Sequence, residues 1–351
     1  MKKKIRSASK IKMDPAAAIA MLALLIATAA VSMMVGRYSI SFGDMVSILS
    51  GNYTDELESS AIVLYARTAR VAAAVMIGAA LAAAGAAYQG IFRNPVVSPD
   101  ILGAATGAGF GAALAILLGG SALAVQLSAF AFGLAAVAAA YAVSSRLTGG
   151  GGGGITITLV LTGMVISSMF SAFISIIKFV GDPYDTLPSI TFWLMGGLTY
   201  ITKEDVLIML IPFVISIVPL MLLRWRLNVL SLDDEEAESL GIDTKKLRLA
   251  VIICATLMSS ASVAAGGMIG WVGLIVPHIA RMISGPDYTK MLPCSSLTSR
   301  QRRSIRLPRA KFIPSITKWR RIKLRFSSRT GLPPRLSATA YSILKTAACW
   351  R

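Results

Sequence analysis

The densest group of side chains that could do chemistry is a run of carboxylates between residues 232 and 247. It comprises Asp233, Asp234, Glu235, Glu236 and Glu238, and it is followed by Lys245 and Lys246. An aspartate-rich diphosphate site needs carboxylates spaced along one face of a helix, whereas these are almost consecutive. Three interpretations stay open: a short helix that docks on a partner protein, which we favour, a solvated acidic loop, and a diphosphate site.

Residues that could bind metal or phosphate elsewhere lack the necessary spacing. His278 is the only histidine, and Cys254, Cys294 and Cys349 share no CxxC or metal-ligand pattern. A lone histidine is a poor zinc site, so we expect no metal site and a packing or gating role for His278. The six glycines at 149–154 are not followed by Lys-Ser/Thr and are therefore not a phosphate-binding loop. They predict a flexible turn, and any ATP must be bound by another subunit.

The composition indicates that membrane helices position these residues. The 351-residue chain is 55% hydrophobic and 15% charged, against roughly 25% charged residues in soluble domains. Apolar runs long enough to cross about 30 Å of hydrocarbon recur along the sequence. We expect an all-α polytopic membrane protein with spans at 16–35, 61–90, 99–118, 122–144, 155–180, 204–223 and 249–267, and a shorter segment near 272–284.

Positive charge predicts the orientation of these spans. Six Lys and Arg residues lie in residues 2–12, whereas the loops 36–60 and 181–205 each hold one basic and four acidic residues. Cytoplasmic loops are the ones enriched in Lys and Arg. We therefore expect a multi-pass protein of the cell (inner or plasma) membrane with a basic cytoplasmic N-terminus at 1–15. The first apolar run is 20 residues long, which favours a membrane helix over a signal peptide.

Small residues predict close contacts between the helices. Gly103, Gly107 and Gly111 recur every four residues, and residues 78–87 read GAALAAAGAA. Membrane helices associate where small side chains let their backbones approach. We expect tight packing along both segments.

The net charge of +18 arises almost entirely from the C-terminal residues. Residues 298–351 contain 15 Lys and Arg and no Asp or Glu, which leaves 20 basic and 17 acidic residues in the rest of the chain. The high isoelectric point is therefore a property of this tail, and the apolar body is close to neutral.

Four stretches resemble the FecCD-type permeases, the membrane subunits of ABC importers for iron–siderophore complexes, haem and cobalamin. They are ARTARVAAAVMIGAALAAAGAAYQGIFRNPVVSPDILGAATGAGFGAAL (66–114), LTGMVISSMFSAFISI (161–176), FWLMGGLTYITKEDV (192–206) and the whole of 227–293, which includes SLGI and GMIGWVGLIVPHIAR. The resemblance extends over about residues 15–297. We accordingly treat 16–297 as a permease domain, with a coupling loop at about 231–248.

The resemblance implies a fold of ten membrane helices that works as a homodimer or with a related permease. It also implies two cytoplasmic ATPase subunits, which would bind ATP and magnesium, and an extracytoplasmic substrate-binding protein. This chain would bind no cofactor itself and would perform no covalent chemistry. Membrane lipid is an expected partner, and nucleic acid is not.

The resemblance also implies roles for individual residues. An ATPase-coupling segment would use Glu236, Ala237, Ser239, Leu240 and Gly241, of which Glu236, Ala237, Leu240 and Gly241 are expected to form one compact face. Two arginines three residues apart on one helix face would dock the binding protein, namely Arg67 and Arg70. Small residues would line the pathway, and these are Ser167, Ser168, Met169, Ser171, Gly266, Gly267 and Gly270.

The tail departs from the family from about residue 298, where two further apolar helices are expected. It is a basic domain for nucleic acid or anionic lipid, a solvated disordered segment, or the product of a shifted reading frame. We favour the frameshift, because out-of-frame translation of apolar helices yields Arg-, Ser- and Pro-rich text without helical periodicity. A chain without the last two helices is expected to insert but to transport poorly.

Two other function classes remain as alternatives to an importer subunit. An ATP-independent secondary transporter often uses carboxylates within the membrane, and the predicted spans contain almost none. A membrane-anchored nucleic-acid binder would depend entirely on residues 298–351. The sequence does not identify the substrate.

Overall fold

The computed structural model describes residues 15–36, 38–51, 57–148, 155–230, 234–284 and 287–295, and the described part of the chain contains helices but no strand. The helices are α1 Pro15–Met34, α2 Phe42–Leu49, α3 Glu58–Ile91, α4 Ala104–Leu117, α5 Ala122–Leu147, α6 Ile155–Val180, α7 Thr186–Met195, α8 Lys203–Leu230, α9 Asp234–Ser239, α10 Thr244–Gly266, α11 Val272–Ser284 and α12 Tyr288–Ser295. The expectations for the N-terminal residues 1–14, the glycine run 149–154, Cys349 and the tail 298–351 concern residues outside these ranges.

The predicted all-α polytopic membrane fold is confirmed. Within the described residues five helices, α3, α5, α6, α8 and α10, are long and apolar enough to cross a membrane. Four shorter apolar segments accompany them, at Ile19–Met34, Ala104–Leu117, Thr186–Met195 and Val272–Met282. The expected spans correspond in order to α1, α3, α4, α5, α6, α8 and α10, with α11 as the shorter segment.

The span expected at 99–118 is broken near its start. Pro99–Leu102 forms a separate 3₁₀ helix, and Ser98 caps it by accepting a hydrogen bond from the backbone N–H of Asp100. Gly103 then turns the chain with φ of +87°, a left-handed conformation that a residue with a Cβ adopts only at a cost. α4 consequently contains only 14 residues. The run of apolar letters hid this break because hydropathy does not register backbone conformation.

α3 and α10 lie at the centre of the bundle. All seven residues from Ala80 to Ala86 are buried, and so is most of α10. A Cβ on Gly85 would overlap the carbonyl oxygen of Gly273, which shows how closely α3 and α11 approach. Close packing is therefore confirmed along 80–87, whereas Gly78 has open space around it.

The glycine row of α4 packs against α5, as its spacing predicts. A Cβ on Gly107 would lie 2.6 Å from the carbonyl oxygen of Phe132, and one on Gly111 would overlap the carbonyl oxygen of Ser128. The hydroxyl of Ser128 also donates to the carbonyl oxygen of Gly111, over 2.7 Å. Backbones that approach this closely gain van der Waals contact, which is the main attraction between helices in lipid.

Two contacts define the ends of the bundle. Arg93, just beyond α3, donates from Nε to the carbonyl oxygen of Leu230 at the end of α8, over 2.9 Å. At the other end, Nζ of Lys203 lies 4.3 Å from the ring centre of Tyr65. We call these the α9 end, because α9 follows α8 there, and the α2 end, because α2 precedes α3 there.

Candidate functional site

The acidic run folds into a short helix between two spans, as one of the three interpretations predicts. α9 covers Asp234–Ser239, and Gly241 ends the turn with φ of +76°. Two backbone N–H groups, those of Leu240 and Ile242, donate to the carbonyl oxygen of Ala237 over 3.2 and 3.3 Å. The bonds close the helix tightly, so α9 leads directly into α10.

The side chains of α9 divide between an exposed and a buried side. Glu236, Ser239 and Leu240 are exposed, and Leu240 retains 62% of its accessible surface. Ala237 is fully buried. The expectation that Glu236, Ala237, Leu240 and Gly241 form one compact face is thus wrong for Ala237, which packs inward and anchors the helix. An alanine is small enough to do so where the backbone lies close to α8 and α10.

Asp243 fixes the start of the span that follows α9. Its carboxylate accepts the backbone N–H of Lys246 over 3.0 Å and pairs with the Lys246 ammonium at 3.1 Å. These two interactions, the backbone hydrogen bond first, lower the pKa of Asp243 below its ordinary value. The capped helix start gives α9 a fixed base from which to project.

The two arginines predicted at the α2 end have different environments. Arg67 donates from Nη1 to the carbonyl oxygen of Met33 over 2.7 Å and from Nη2 to that of Tyr38 over 2.6 Å. It therefore closes the C-terminal end of α1 and the turn that follows. A Cβ on Gly36 would overlap this guanidinium. Arg70, one turn later on α3, is exposed.

The residues predicted to line the pathway fall into two groups. On α6, Ser168, Met169 and Ser171 are exposed and Ser167 is half-buried. Ser167 lies against the break before α4, since a Cβ on Gly103 would be 3.0 Å from its Oγ. The exposed members share their surface with large apolar side chains, among them Met164, Val165 and Ile176.

The second group lies in the link between α10 and α11. Gly266 accepts a hydrogen bond from the backbone N–H of Gly197 over 2.8 Å. A Cβ on Gly267 would meet the carbonyl oxygen of Trp193 at 2.5 Å. The space beside Gly267 is therefore occupied by backbone at and just after the end of α7, and the space beside Gly266 by side chains of α3 and the neighbouring loops. Gly270 is exposed with open space around it.

Gly109 lies in contact with both α6 and the α10–α11 link, and it was not among the residues predicted to line the pathway. A Cβ there would lie 3.2 Å from Sδ of Met268 in the α10–α11 link and 3.4 Å from Cδ1 of Ile174 on α6. The signal was available but ambiguous, because Gly109 lies between two members of the glycine row and projects from another side of α4.

His278 is exposed on α11, next to Pro277 within the same helix. Across the described ranges no three His, Cys, Asp or Glu residues converge in a way that could hold a metal ion. The side chain of Cys294 lies outside those ranges. Within the described residues the imidazole of His278 is exposed and not packed, so the expected packing role is not supported and the gating role stays a prediction.

Comparison with known proteins gives the same assignment as the motifs. The profile of the FecCD transport family matches residues 24–300. The chain is 38% identical over 278 residues to a molybdate import system permease protein of Haemophilus influenzae, covering 78% of this chain and 81% of that protein. It is 33% identical over 293 residues to an Fe(3+)-citrate import system permease protein of Bacillus subtilis, covering 81% and 83%.

A solved structure with comparable sequence identity has the same fold. A metal-chelate-type ABC transporter in an inward-facing conformation superimposes with a TM-score of 0.72 at 36% identity, over 81% of this chain and 86% of that one. The predicted family is thereby confirmed on both sequence and structure. The chain belongs to the FecCD transport family and has the fold of an ABC-transporter permease.

Proposed function

We propose that the chain is the membrane-spanning permease subunit of a bacterial ABC importer that carries an iron–siderophore complex, or haem or cobalamin, into the cytoplasm. The observation that carries the proposal is α9, a short helix with an exposed side between two spans. A partner ATPase would bind ATP and magnesium, and its closure would drive alternation between outward-open and inward-open states. The α9 end would face the cytoplasm, as would the N-terminus.

The role of α9 follows from its packing. A short helix that fits a groove on an ATPase can transmit its closure as rigid-body motion. Glu236, Ser239 and Leu240 would contact the ATPase, Ala237 would hold the helix against α8 and α10, and Gly241 would allow the turn into α10.

Binding-protein docking at the α2 end would depend chiefly on Arg70. Its exposed guanidinium can pair with a carboxylate in two-point geometry. Arg67 would act by holding the α1–α2 turn, because its donors are engaged by the backbone carbonyls of Met33 and Tyr38.

The exposed side of α6 favours an arrangement in which a second copy of the permease packs against it. Ser168, Met169 and Ser171 share that side with large apolar residues. Two such sides, one from each copy, would enclose a pathway lined by small and mildly polar groups.

Molybdate is a second candidate substrate, because the Haemophilus influenzae relative is a molybdate permease matched over 81% of its length. Reconstitution with the partner ATPase and binding protein separates the candidates. ATP hydrolysis that is stimulated by the binding protein loaded with ferric siderophore would support an iron–siderophore substrate. Stimulation only by the binding protein loaded with molybdate would support molybdate. Uptake that follows an ion gradient and needs no ATP would contradict an ABC importer and support a secondary transporter.

The contact between α9 and the ATPase has its own test. Leu240→Asp is expected to abolish copurification of the ATPase with the permease, because it places a charge on the exposed apolar contact. Lys245→Ala, at an exposed position beside α9, is the matched control and is expected to retain it. Equal copurification of both variants would exclude α9 as the contact.

We further infer that residues 298–351 are translated from a shifted reading frame. The abrupt change in charge at residue 298 supports this, and the family match ends at residue 300. Sequencing the DNA across codons 285–310 tests it: two apolar helices in another frame would support the inference, and stop codons in both other frames would contradict it. The chain with this tail is expected to insert but to transport poorly, and near-normal uptake by it would contradict that expectation. Removing residues 298–351 and measuring nucleic-acid binding tests the remaining alternative.

A further inference from the structure

Five polar residues form a connected cluster at the α9 end, and the proposed roles above use none of them. We call it the Arg281 junction, and it consists of Gln89, Asn228, Arg281, Asp287 and Tyr288. These residues come from α3, α8, α11 and the start of α12.

One half of the junction joins α3 to α11. Gln89 is fully buried, and its Nε2 donates to the carbonyl oxygen of Leu274 in the first turn of α11 over 3.4 Å. Its Oε1 accepts from Nη2 of Arg281 over 3.4 Å. The same Nη2 donates to the Tyr288 hydroxyl over 2.8 Å. The two ends of α11 are therefore linked through a single glutamine.

The other half joins α8 to α12. Oδ1 of Asn228 accepts the backbone N–H of Tyr288 over 2.7 Å, and its Nδ2 donates to Oδ1 of Asp287 over 2.8 Å. Asn228 lies two residues before the end of α8, and α9 follows a few residues later. Hydrogen bonds and the Tyr288 side chain thus connect the end of α8, which α9 follows along the chain, to the first turn of α11.

The surroundings make this path sensitive to small displacements. The Tyr288 ring packs on α3, since a Cβ on Gly90 would lie 3.1 Å from Cζ of that ring. Nε of Arg281 is buried and has no hydrogen-bond partner within the described ranges. A partly buried guanidinium whose buried Nε has no acceptor gains from a shift that offers one. Hydrogen-bonded clusters of this kind can switch between discrete arrangements.

α11 also has the features of an element that moves as a unit. It follows the link that contains Gly267 and Gly270, and Trp271 starts it with φ of +69°, a strained conformation for a residue with a side chain. The Trp271 indole is 72% exposed. A rotation of α11 would therefore reach the link directly.

We propose that the Arg281 junction positions α11 and transmits displacement of α9 to the link at residues 267–271. The proposal rests on the permease function proposed above and adds the residues through which its two ends communicate. Motion of α8 at Asn228 pulls on Tyr288, Tyr288 shifts Arg281, and Gln89 and Arg281 together reset both ends of α11.

The test needs neither ATPase nor substrate, so its outcome is separate from that of the transport assay. The full chain, with its native cysteines replaced by alanine and Gly270→Cys introduced, is labelled with a maleimide in liposomes. Gly270 is exposed with open space around it, so the cysteine fits. Ala237→Leu is then added, because the larger side chain at this buried position is expected to displace α9. We expect the labelling rate to change about threefold or more, a typical coupling between sites.

The decisive comparison uses two tyrosines. Tyr288→Phe removes the hydroxyl that accepts from Arg281 and is expected to abolish the effect of Ala237→Leu on labelling. Tyr88→Phe removes another buried hydroxyl, which does not belong to the junction and lies 2.8 Å from the hydroxyl of Thr256. This variant is expected to preserve the effect of Ala237→Leu on labelling. An unchanged effect in Tyr288→Phe, or no effect of Ala237→Leu in the parent chain, would overturn the proposal. If Tyr288→Phe does not fold, Gln89→Met interrupts the same path and gives the same two outcomes.

Discussion

The peripheral helix α8 and the central helices α3 and α10 differ in burial in the order opposite to their hydropathy. α8 has a mean hydropathy of 2.9 in its most apolar window, yet only 17% of that window is buried. α3 and α10 both have 1.9, and 61% and 67% of their windows are buried. The central helices are less apolar than the peripheral one because they are built from alanine, glycine and serine.

This difference follows from the solvent. Lipid tails are as apolar as leucine, so a membrane helix gains little from hiding its large side chains. It gains instead from close van der Waals contact, which small residues permit. The most apolar helix therefore remains at the lipid surface, and the helices rich in small residues occupy the centre.

The largest effect is expected from enlarging a glycine on the central helix α3, which tests whether close backbone contact stabilises the centre of the bundle. Gly85→Ala would place a methyl group on the carbonyl oxygen of Gly273. The Cβ position is fixed by the backbone of α3, and the carbonyl oxygen is itself a backbone atom, so neither can move aside without a shift of its helix. We therefore expect a loss of about 3 kcal/mol or more of unfolding free energy. Thermal unfolding of the detergent-solubilised protein measures it.

Gly78→Ala on the same helix is the control, since a Cβ there has no atom within 4 Å. It is expected to be neutral or slightly stabilising because alanine favours helix. Equal losses in both variants would mean that helix dynamics, not the approach of α11, set the sensitivity.

Within α8 the same contrast can be tested at two leucines that are two residues apart. Leu220 is fully buried, and Leu222 retains 78% of its surface. Leu220→Ala is expected to cost about 2 kcal/mol or more by leaving a cavity. Leu222→Ala, which faces lipid, is expected to change the unfolding free energy by less than about 0.5 kcal/mol. A comparable loss at Leu222 would show that a partner helix, not lipid, covers this side.

The two arginines of α3 sharpen the comparison at its edge. Arg67→Met removes a charged donor from three backbone carbonyl groups and is expected to cost about 1 kcal/mol or more of unfolding free energy. Arg70→Met is expected to leave stability unchanged and to weaken binding of the substrate-binding protein. Thermal unfolding and a pull-down with that protein separate the two effects. Loss of binding without loss of stability in Arg67→Met would restore it as a docking residue.

The smallest effect is expected at the exposed start of α10. The lowered pKa of Asp243 means that its stabilising contribution is present at neutral pH and is lost as pH falls through that pKa, below about 4. Asp243→Ala should therefore unfold at a lower temperature than the parent at pH 7, and this difference should shrink as the pH is lowered below about 4. A difference that does not change with pH would assign the role to packing.

The apolar helices and their order along the chain were predictable, because each span must satisfy its own backbone within about 20 apolar residues. The acidic run likewise predicted a short helix, and its charge excluded it from the bilayer. The glycine row of α4 predicted one closely packed face, because a period of four residues marks one side of a helix, and the structure identified α5 as the partner.

Other features could not be read from the sequence. The 3₁₀ break before Gly103 sits inside an apolar run, and hydropathy is the same on both sides of it. Arg67 and Arg70 are equivalent in sequence, and only the position of the α1–α2 turn distinguishes them. Gln89, Asn228 and Tyr288 appear as isolated polar letters tens to hundreds of residues apart, so no local pattern connects them.

By itself the sequence determined the helices, their apolar length and the small-residue surfaces by which they associate, since all three depend on neighbours within a few turns. Only the tertiary structure decided which helix is central, which arginine is engaged and which polar residues meet. Those outcomes depend on contacts between distant segments, where a single close approach such as that of Gly85 and Gly273 fixes the arrangement of everything packed around it.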